Sequence, residues 1–151
     1  EALEQVLRDL VGSRLTEAWG DGALERCVPQ AARRQIMSRL QQRLGKNPFE
    51  ADDFRTLSEL LQFSQFSDYA KIMRENWSLF GDTFGEGRSF DQYISAVTTA
   101  RNAFAHNNPI GKADLLSAEA GLIWIEECLR RLEQSEVEED EEAEEEEAEL
   151  V

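Results

Sequence analysis

Apolar residues in this chain recur at steps of three and four from the first turn to about residue 132. That spacing lines one stripe of a helix and cannot line one face of a strand, so it confines the chain to helices packed on helices. The opening EALEQVLRDLVGSRLTEAWG carries Leu3, Val6, Leu7, Leu10, Val11 and Leu15 in this register and ends near Gly20. GDG and the CVP stretch read as turns. QAARRQIMSRLQQRLG predicts a second helix through Ile36, Met37, Leu40 and Leu44, with Gly45 as its stop. TLSELLQF predicts a short helix. SDYAKIMRENWSLFGDTFG predicts a continuous one, capped at Ser67 and burying Tyr69, Ile72, Met73, Trp77 and Phe80. Beyond GEGR, SFDQYISAVTTARNAFAH reads as a helix capped by Ser89, ending near Asn107 and stopped by Pro109.

The last helix spans about Ala113 to Leu132. Leu115, Ala118, Leu122, Ile125, Leu129 and Leu132 form its stripe, and Leu116 and Ile123 widen it. The expected fold is an all-α bundle of about five helices over residues 1–135, with the last two as an antiparallel pair joined by NNPIGK.

Residues 136–149 hold eleven Asp and Glu and no Lys or Arg, so removing them takes the net charge from -15 to about -4. This acidic segment, 136–151, has too few apolar residues to bury a core and is expected to be a disordered tail or frayed helix. It reads as a solubilising or interaction tail, with mimicry of RNA charge as the alternative. The mildly acidic body excludes a strong nonspecific binder of polyanions, because affinity for phosphates scales with the counterions displaced. Cys27 and Cys128 are far apart and outside any ligand cluster, so no metal site, cofactor or disulfide framework is expected. A reducing intracellular, cytoplasmic setting follows. No apolar run reaches the length of a membrane span. An opening on Glu1 rather than Met points to a segment of a longer protein, whose other domains would be partners.

One stretch carries chemistry. RNAFAHNN contains the only histidine in the chain, His106, five positions after Arg101 and four after Asn102. On a wheel, Phe90, Tyr93, Ile94, Val97 and Phe104 form the core stripe of this helix, and Arg101 falls among them. A guanidinium there must be paired or open onto a wet cleft. Asn102 and His106 stack one turn apart on an adjoining face. A structural role would pair Arg101 with Glu119 or Glu126 and use His106 to complement the helix C-terminus. A chemical role would use an imidazole as proton carrier and a guanidinium as partner for phosphoryl charge, cleaving RNA through its 2′-hydroxyl. One histidine serves as base or as acid, so the scheme calls for a homodimer with the site across its interface.

Arg101-Asn102-Ala103-Phe104-Ala105-His106 at a helix end, preceded by FSDYAKIMRENWSLFGDTFG, resembles the HEPN superfamily (higher eukaryotes and prokaryotes nucleotide-binding). It is most similar to the Swt-one-type branch, named for a eukaryotic endoribonuclease of transcript surveillance. The resemblance covers about residues 54–130. It implies a four- to five-helix bundle that dimerises with its motifs face to face and acts as a metal-independent endoribonuclease in surveillance or defence. It implies Arg101 as the phosphate-stabilising cation, Asn102 as a positioning residue and His106 as the acid/base group. Some domains of this type only dimerise or bind RNA or protein, which is the alternative. Asn107, Asn108 and Pro109 follow the histidine where nucleotidylated toxins of the superfamily carry a tyrosine, so that subtype is not expected.

Other features are secondary. Arg33, Arg34, Arg39 and Arg43 lie on one helix free of acids and are the expected RNA-tracking surface, a solvated helix face being the alternative. Trp77 and Trp124 sit at core spacing. GDTFGEGR lacks the strand and lysine of a P-loop. Adjacent Glu126 and Glu127 face different ways and do not make a catalytic pair.

Overall fold

A computed structural model describes residues 2–150. Among the described residues there are eight α-helices, three 3-10 segments and no strand. The all-α expectation holds, and the count of five does not. The additional helices are short pieces: one coils from the stretch after GDG, and another arises where Asn76 divides a longer apolar stripe. No helix among the described residues is long and apolar enough to cross a membrane.

The chain divides into two compact units, Glu1–Phe80 and Gly81–Val151. The first contains α1 (Ala2–Trp19), α2 (Ala23–Cys27), α3 (Gln30–Lys46), α4 (Leu57–Leu60), α5 (Phe66–Glu75) and the start of α6 (Trp77–Phe84). Leu7, Val11 and Leu15 of α1 are fully buried, whereas Val6 is 45% exposed, so the working stripe is narrower than the sequence pattern. The reason lies at Gly12. A Cβ there would stand 2.7 Å from the Ser58 nitrogen and 2.8 Å from its Cα, so α1 meets the α4 backbone directly. The turn expected at GDG is 3-10, but the stretch after it coils into α2. Gly45 does not stop α3, which runs one residue further and ends at Asn47, where Pro48 disfavours helical backbone.

Side chains close the backbone of this unit. Thr56 Oγ1 accepts from the Glu59 N–H at 3.2 Å. The Glu59 carboxylate in turn accepts from the N–H groups of Thr56 and Arg55 at 3.1 and 2.9 Å, a capping box that starts α4. These bonds, that from the Thr56 N–H first, hold the Glu59 carboxyl below its ordinary value. Arg14 Nη1 donates to the Leu79 carbonyl at 2.6 Å and Arg39 Nη1 to that of Phe63 at 2.5 Å. Tyr69 Oη and Ser64 Oγ both donate to the Leu61 carbonyl. Ser67 is not a cap. The helix begins at Phe66, where the Asp68 carboxylate accepts the Gln65 N–H at 2.8 Å. Nor is the stretch to Phe84 continuous. Asn76 breaks it, its Nδ2 donating to the Ile72 carbonyl at 2.8 Å, the local competition that disfavours Asn inside helices.

The second unit is simpler. It holds the end of α6, then α7 (Gly87–Ala105) and α8 (Lys112–Glu149) packed along each other. α7 starts at Gly87, so Ser89 lies inside the first turn instead of capping it. Phe84 packs on Phe90 and Trp124, and Tyr93 stacks on Trp124 with ring centroids 5.0 Å apart. A Cβ on Gly121 would stand 2.7 Å from the Tyr93 carbonyl oxygen and 2.9 Å from Val97 Cγ2. That glycine sets the closest approach of the antiparallel pair. The seam is consequently narrow, and Leu116 and Ile123, expected to widen it, are 54% and 67% exposed.

The core side of α8 ends at Leu129 and half-buried Leu132, where the sequence stripe ends, but Leu115 and Leu122 of that stripe are exposed. The helix itself does not end there. Of the two states expected of the acidic segment, helix rather than disorder is found: it continues α8 to Glu149 with every residue exposed. No Gly or Pro follows Gly121, Glu and Ala are good helix formers, and elongation of a formed helix adds one bond per residue.

Candidate functional site

The stripe that packs α7 is Phe90, Ile94, Val97 and Ala100, all buried. It stops there. Phe104, next in register, is 63% exposed, and Arg101 is half-buried at the margin of the stripe rather than in its middle. The reason is that the whole tip of the α7–α8 hairpin stands in solvent. From Asn102 to Ser117 only Ala103 and Ile110 are even half-buried. The motif therefore occupies the exposed end of a helical hairpin.

How the helix ends is fixed by backbone geometry. His106 is the C-cap, and Asn107 adopts φ +53°, a left-handed conformation that asparagine tolerates better than other side-chain-bearing residues. The Asn107 N–H donates to the Phe104 carbonyl at 3.3 Å and the Asn108 N–H to that of Ala103 at 2.8 Å. This crossed pair is a Schellman motif with asparagine in the place usually taken by glycine. The NN after the histidine thus has a structural explanation, and it anchors His106 at a defined point. His106 donates its own N–H to the Asn102 carbonyl at 3.1 Å.

Helix geometry then separates the three motif residues. Asn102 and His106, four steps apart, diverge by about 40° and are both exposed on one face. Arg101 and His106, five steps apart, diverge by about 140°. Within one chain the amide and the imidazole share a face, and the Arg101 side chain leaves the helix on another side.

The face shared by Asn102 and His106 continues backwards along α7. Gln92, Ser95, Ala96 and Thr99 precede them at the same three- and four-residue spacing and line a groove of about 490 Å³. Its other wall is Asp114, Ser117 and Ala120 of α8, with Tyr93 at its base beside Trp124. Sequence reasoning passes over these residues because each is an unremarked polar or small group on a solvated helix face. The signal available is their register with His106.

The arginines of α3 do not form one surface. At 100° per residue Arg39 and Arg43 share a face, while Arg33 and Arg34 lie well away from it and from each other. Arg39 is bound to the Phe63 carbonyl, and Arg43 pairs with Glu50 at 2.6 Å. Arg33 is half-buried, its Nε enclosed without a hydrogen-bond partner, and Arg34 is exposed. Of the tryptophans, Trp124 is packed as expected. Trp77 is half-buried, with the Arg74 guanidinium 5.1 Å from its ring centroid. Trp19 closes α1 with the Arg26 guanidinium 3.6 Å over its ring. Cys27 and Cys128 are both buried and unpaired by disulfide, and burial pushes both thiols up. Among the described residues no three His, Cys, Asp or Glu side chains gather in a way that could hold a metal ion.

A family model described as Swt1-like HEPN matches residues 1–130. No curated protein and no solved structure matches the chain.

Proposed function

The chain belongs to the Swt1-like HEPN family, and from that premise we propose that it is an endoribonuclease domain that cleaves single-stranded RNA without a metal ion. The observation that carries the proposal is the placement of Asn102 and His106 together on the exposed end of α7, with the C-cap of the helix locking the histidine in position. The imidazole of His106 takes the proton of a ribose 2′-hydroxyl. The freed oxygen attacks the adjacent phosphorus, and the bond from phosphorus to the 5′-oxygen breaks. That oxygen leaves with a proton from a second, protonated imidazole, giving a 2′,3′-cyclic phosphate and a 5′-hydroxyl. Arg101 stabilises the charge on the phosphoryl oxygens at the crowded stage, and Asn102 orients the ribose or phosphate by its amide.

Two imidazoles and the divergence of Arg101 from His106 require two copies of α7, so the working form is a homodimer with paired hairpin tips. The exposure of Phe104 beside the motif supports this, because a second chain would cover it. RNA is the partner of the site, and further domains of a longer protein would deliver it to a body of low charge. Arg34, exposed and in no ion pair with an acid described above, is the arginine of α3 we assign to tracking a phosphate backbone. The setting is an intracellular pathway of RNA surveillance or defence.

Cleavage of a mixed-sequence single-stranded RNA in EDTA, wild type against His106→Ala at matched purity, tests the proposal. The expected result is a loss of at least about 100-fold in the variant, with cyclic phosphate ends in the wild-type products. Equal cleavage by both proteins would reject His106 as the acid/base group. The second reading is a noncatalytic module for dimerisation or binding. The exposed Phe104 and Leu116 favour it, since apolar groups on a hairpin tip serve docking as well as catalysis. It predicts RNA or partner retention with no cleavage by either protein.

A further inference from the structure

The groove beside the motif has a polarity and size that the cleavage step does not use. Its walls offer an amide from Gln92, hydroxyls from Ser95, Thr99 and Ser117, and the Asp114 carboxylate. Thr99 Oγ1 donates to the Ser95 carbonyl at 3.0 Å, which leaves its oxygen lone pairs open as acceptors. Small Ala96 and Ala120 line it between these groups. A volume of about 490 Å³ lies within the usual range of small-molecule sites and accommodates one nucleoside.

Position matters more than volume. The helices are closest where Gly121 abuts Tyr93 and Val97. Counting outward from there along antiparallel helices places Asp114 about level with Ala103, one turn short of His106. On α7, Thr99 lies two turns, about 10.5 Å, before His106 on the same face. A strand whose phosphate meets His106 therefore lays a neighbouring nucleoside along this groove.

We propose that the groove between α7 and α8 is a base-recognition subsite for the nucleoside next to the scissile phosphate, with Asp114 selecting guanine. The inference rests on the RNA-cleaving reading of His106 and deepens it. A carboxylate offers two parallel acceptors and no donor. Guanine presents two adjacent donors, its ring N–H and its amino group, and meets both. Uracil presents one N–H between two carbonyls, which face the carboxylate with like partial charge. The hydroxyls of Ser95, Thr99 and Ser117 and the Gln92 amide can satisfy the remaining edges and the ribose, in the manner of single-stranded RNA readout on base edges.

The test is binding of guanosine and of uridine to the full chain, read by amide and side-chain chemical shifts, for wild type, Asp114→Asn and His106→Ala. The expected result is guanosine-dependent shifts confined to Gln92, Ser95, Thr99, Ser117 and their neighbours. Asp114→Asn should weaken guanosine at least about fivefold and leave uridine unchanged, with helicity preserved because Asp114 is exposed. His106→Ala should bind guanosine as the wild type does. This outcome holds whether or not the domain cuts RNA, which separates failure of the subsite from failure of the catalytic proposal. No shifts in the groove, or equal weakening of guanosine and uridine by Asp114→Asn, overturns the subsite. So does occupation of the groove by a second copy of the chain, seen as shifts there that depend on protein concentration alone. Where the RNA is cleaved, mapping the cuts should place guanine beside the scissile phosphate in the wild type and lose that preference in Asp114→Asn.

Discussion

The unit ending at Phe80 commits many polar side chains to its own backbone, whereas the unit beginning at Gly81 leaves those around its hairpin tip facing water. In the first, Arg14, Arg39, Tyr69 and Ser64 all donate to backbone carbonyls, and Thr56 and Glu59 close the start of α4. Those groups satisfy the many helix ends that a chain of short elements creates. In the second, two long helices have few ends to satisfy. Gln92, Asn102, His106, Asp114 and Ser117 remain exposed on one hairpin. Polar residues in a small helical domain are thus scaffold where helices are short and reagents where they are long. The chemistry proposed for this chain falls in the second unit for that reason.

Both units share one device, a helical glycine at the tightest crossing, and substitutions there should have the largest effect on stability. Gly12→Ala and Gly121→Ala each press a methyl group against a neighbouring helix backbone and are expected to cost about 1–3 kcal/mol, read from the urea midpoint. Alanine is the better helix former by about 1 kcal/mol, so a stabilised variant would show that the helices have room. The next effect sharpens the contrast between scaffold and surface. Arg39→Met should lose about 1–2 kcal/mol by abandoning the Phe63 carbonyl, whereas Arg34→Met should stay within about 0.5 kcal/mol of wild type. Equal effects would erase the distinction between the two arginines.

Cysteine reactivity compares the interiors of the two units. Burial raises the thiols of Cys27 and Cys128 alike, so both should react with an alkylating reagent at least about tenfold more slowly in the native protein than in urea. Fast labelling of one alone would identify the looser unit. The smallest effect is at the capping box. Because the folded Glu59 carboxyl is held below its ordinary value, its contribution is complete above that value and is lost as the pH falls through the lowered one. The stability difference between wild type and Glu59→Gln should therefore shrink on acidification. A difference independent of pH would show that the amide caps as well as the carboxylate.

Much of this architecture was legible before any coordinates, and the misses have specific physical causes. The stripes of α1, α5 and α7 located their buried residues, because 3.6-residue periodicity survives whatever a helix packs against. Boundaries failed where one side chain outcompeted the pattern, as Asn76 did between α5 and α6. Leu116, Ile123 and Phe104 were misread for a different reason. Periodicity shows which residues share a face but not how far along the helix a neighbour extends. At the site, the Arg101, Asn102 and His106 spacing could be read directly, including the divergence of Arg101 from His106. The groove could not, since its second wall comes from Asp114 and Ser117 on another helix.

The sequence alone determined that this chain is helical, where the last apolar stripe ends at Leu132, and that one helix terminus carries its sole histidine. Those properties follow from local spacing and residue type, which act within a turn or two of backbone. Only the tertiary structure decided that the motif stands on an exposed hairpin tip, that Arg39 and Arg43 are already engaged, and that a polar groove lies between α7 and α8 on the face His106 shares. Each depends on which helix lies beside which, a choice set at places such as Gly12 and Gly121, where the absence of a side chain lets two backbones touch.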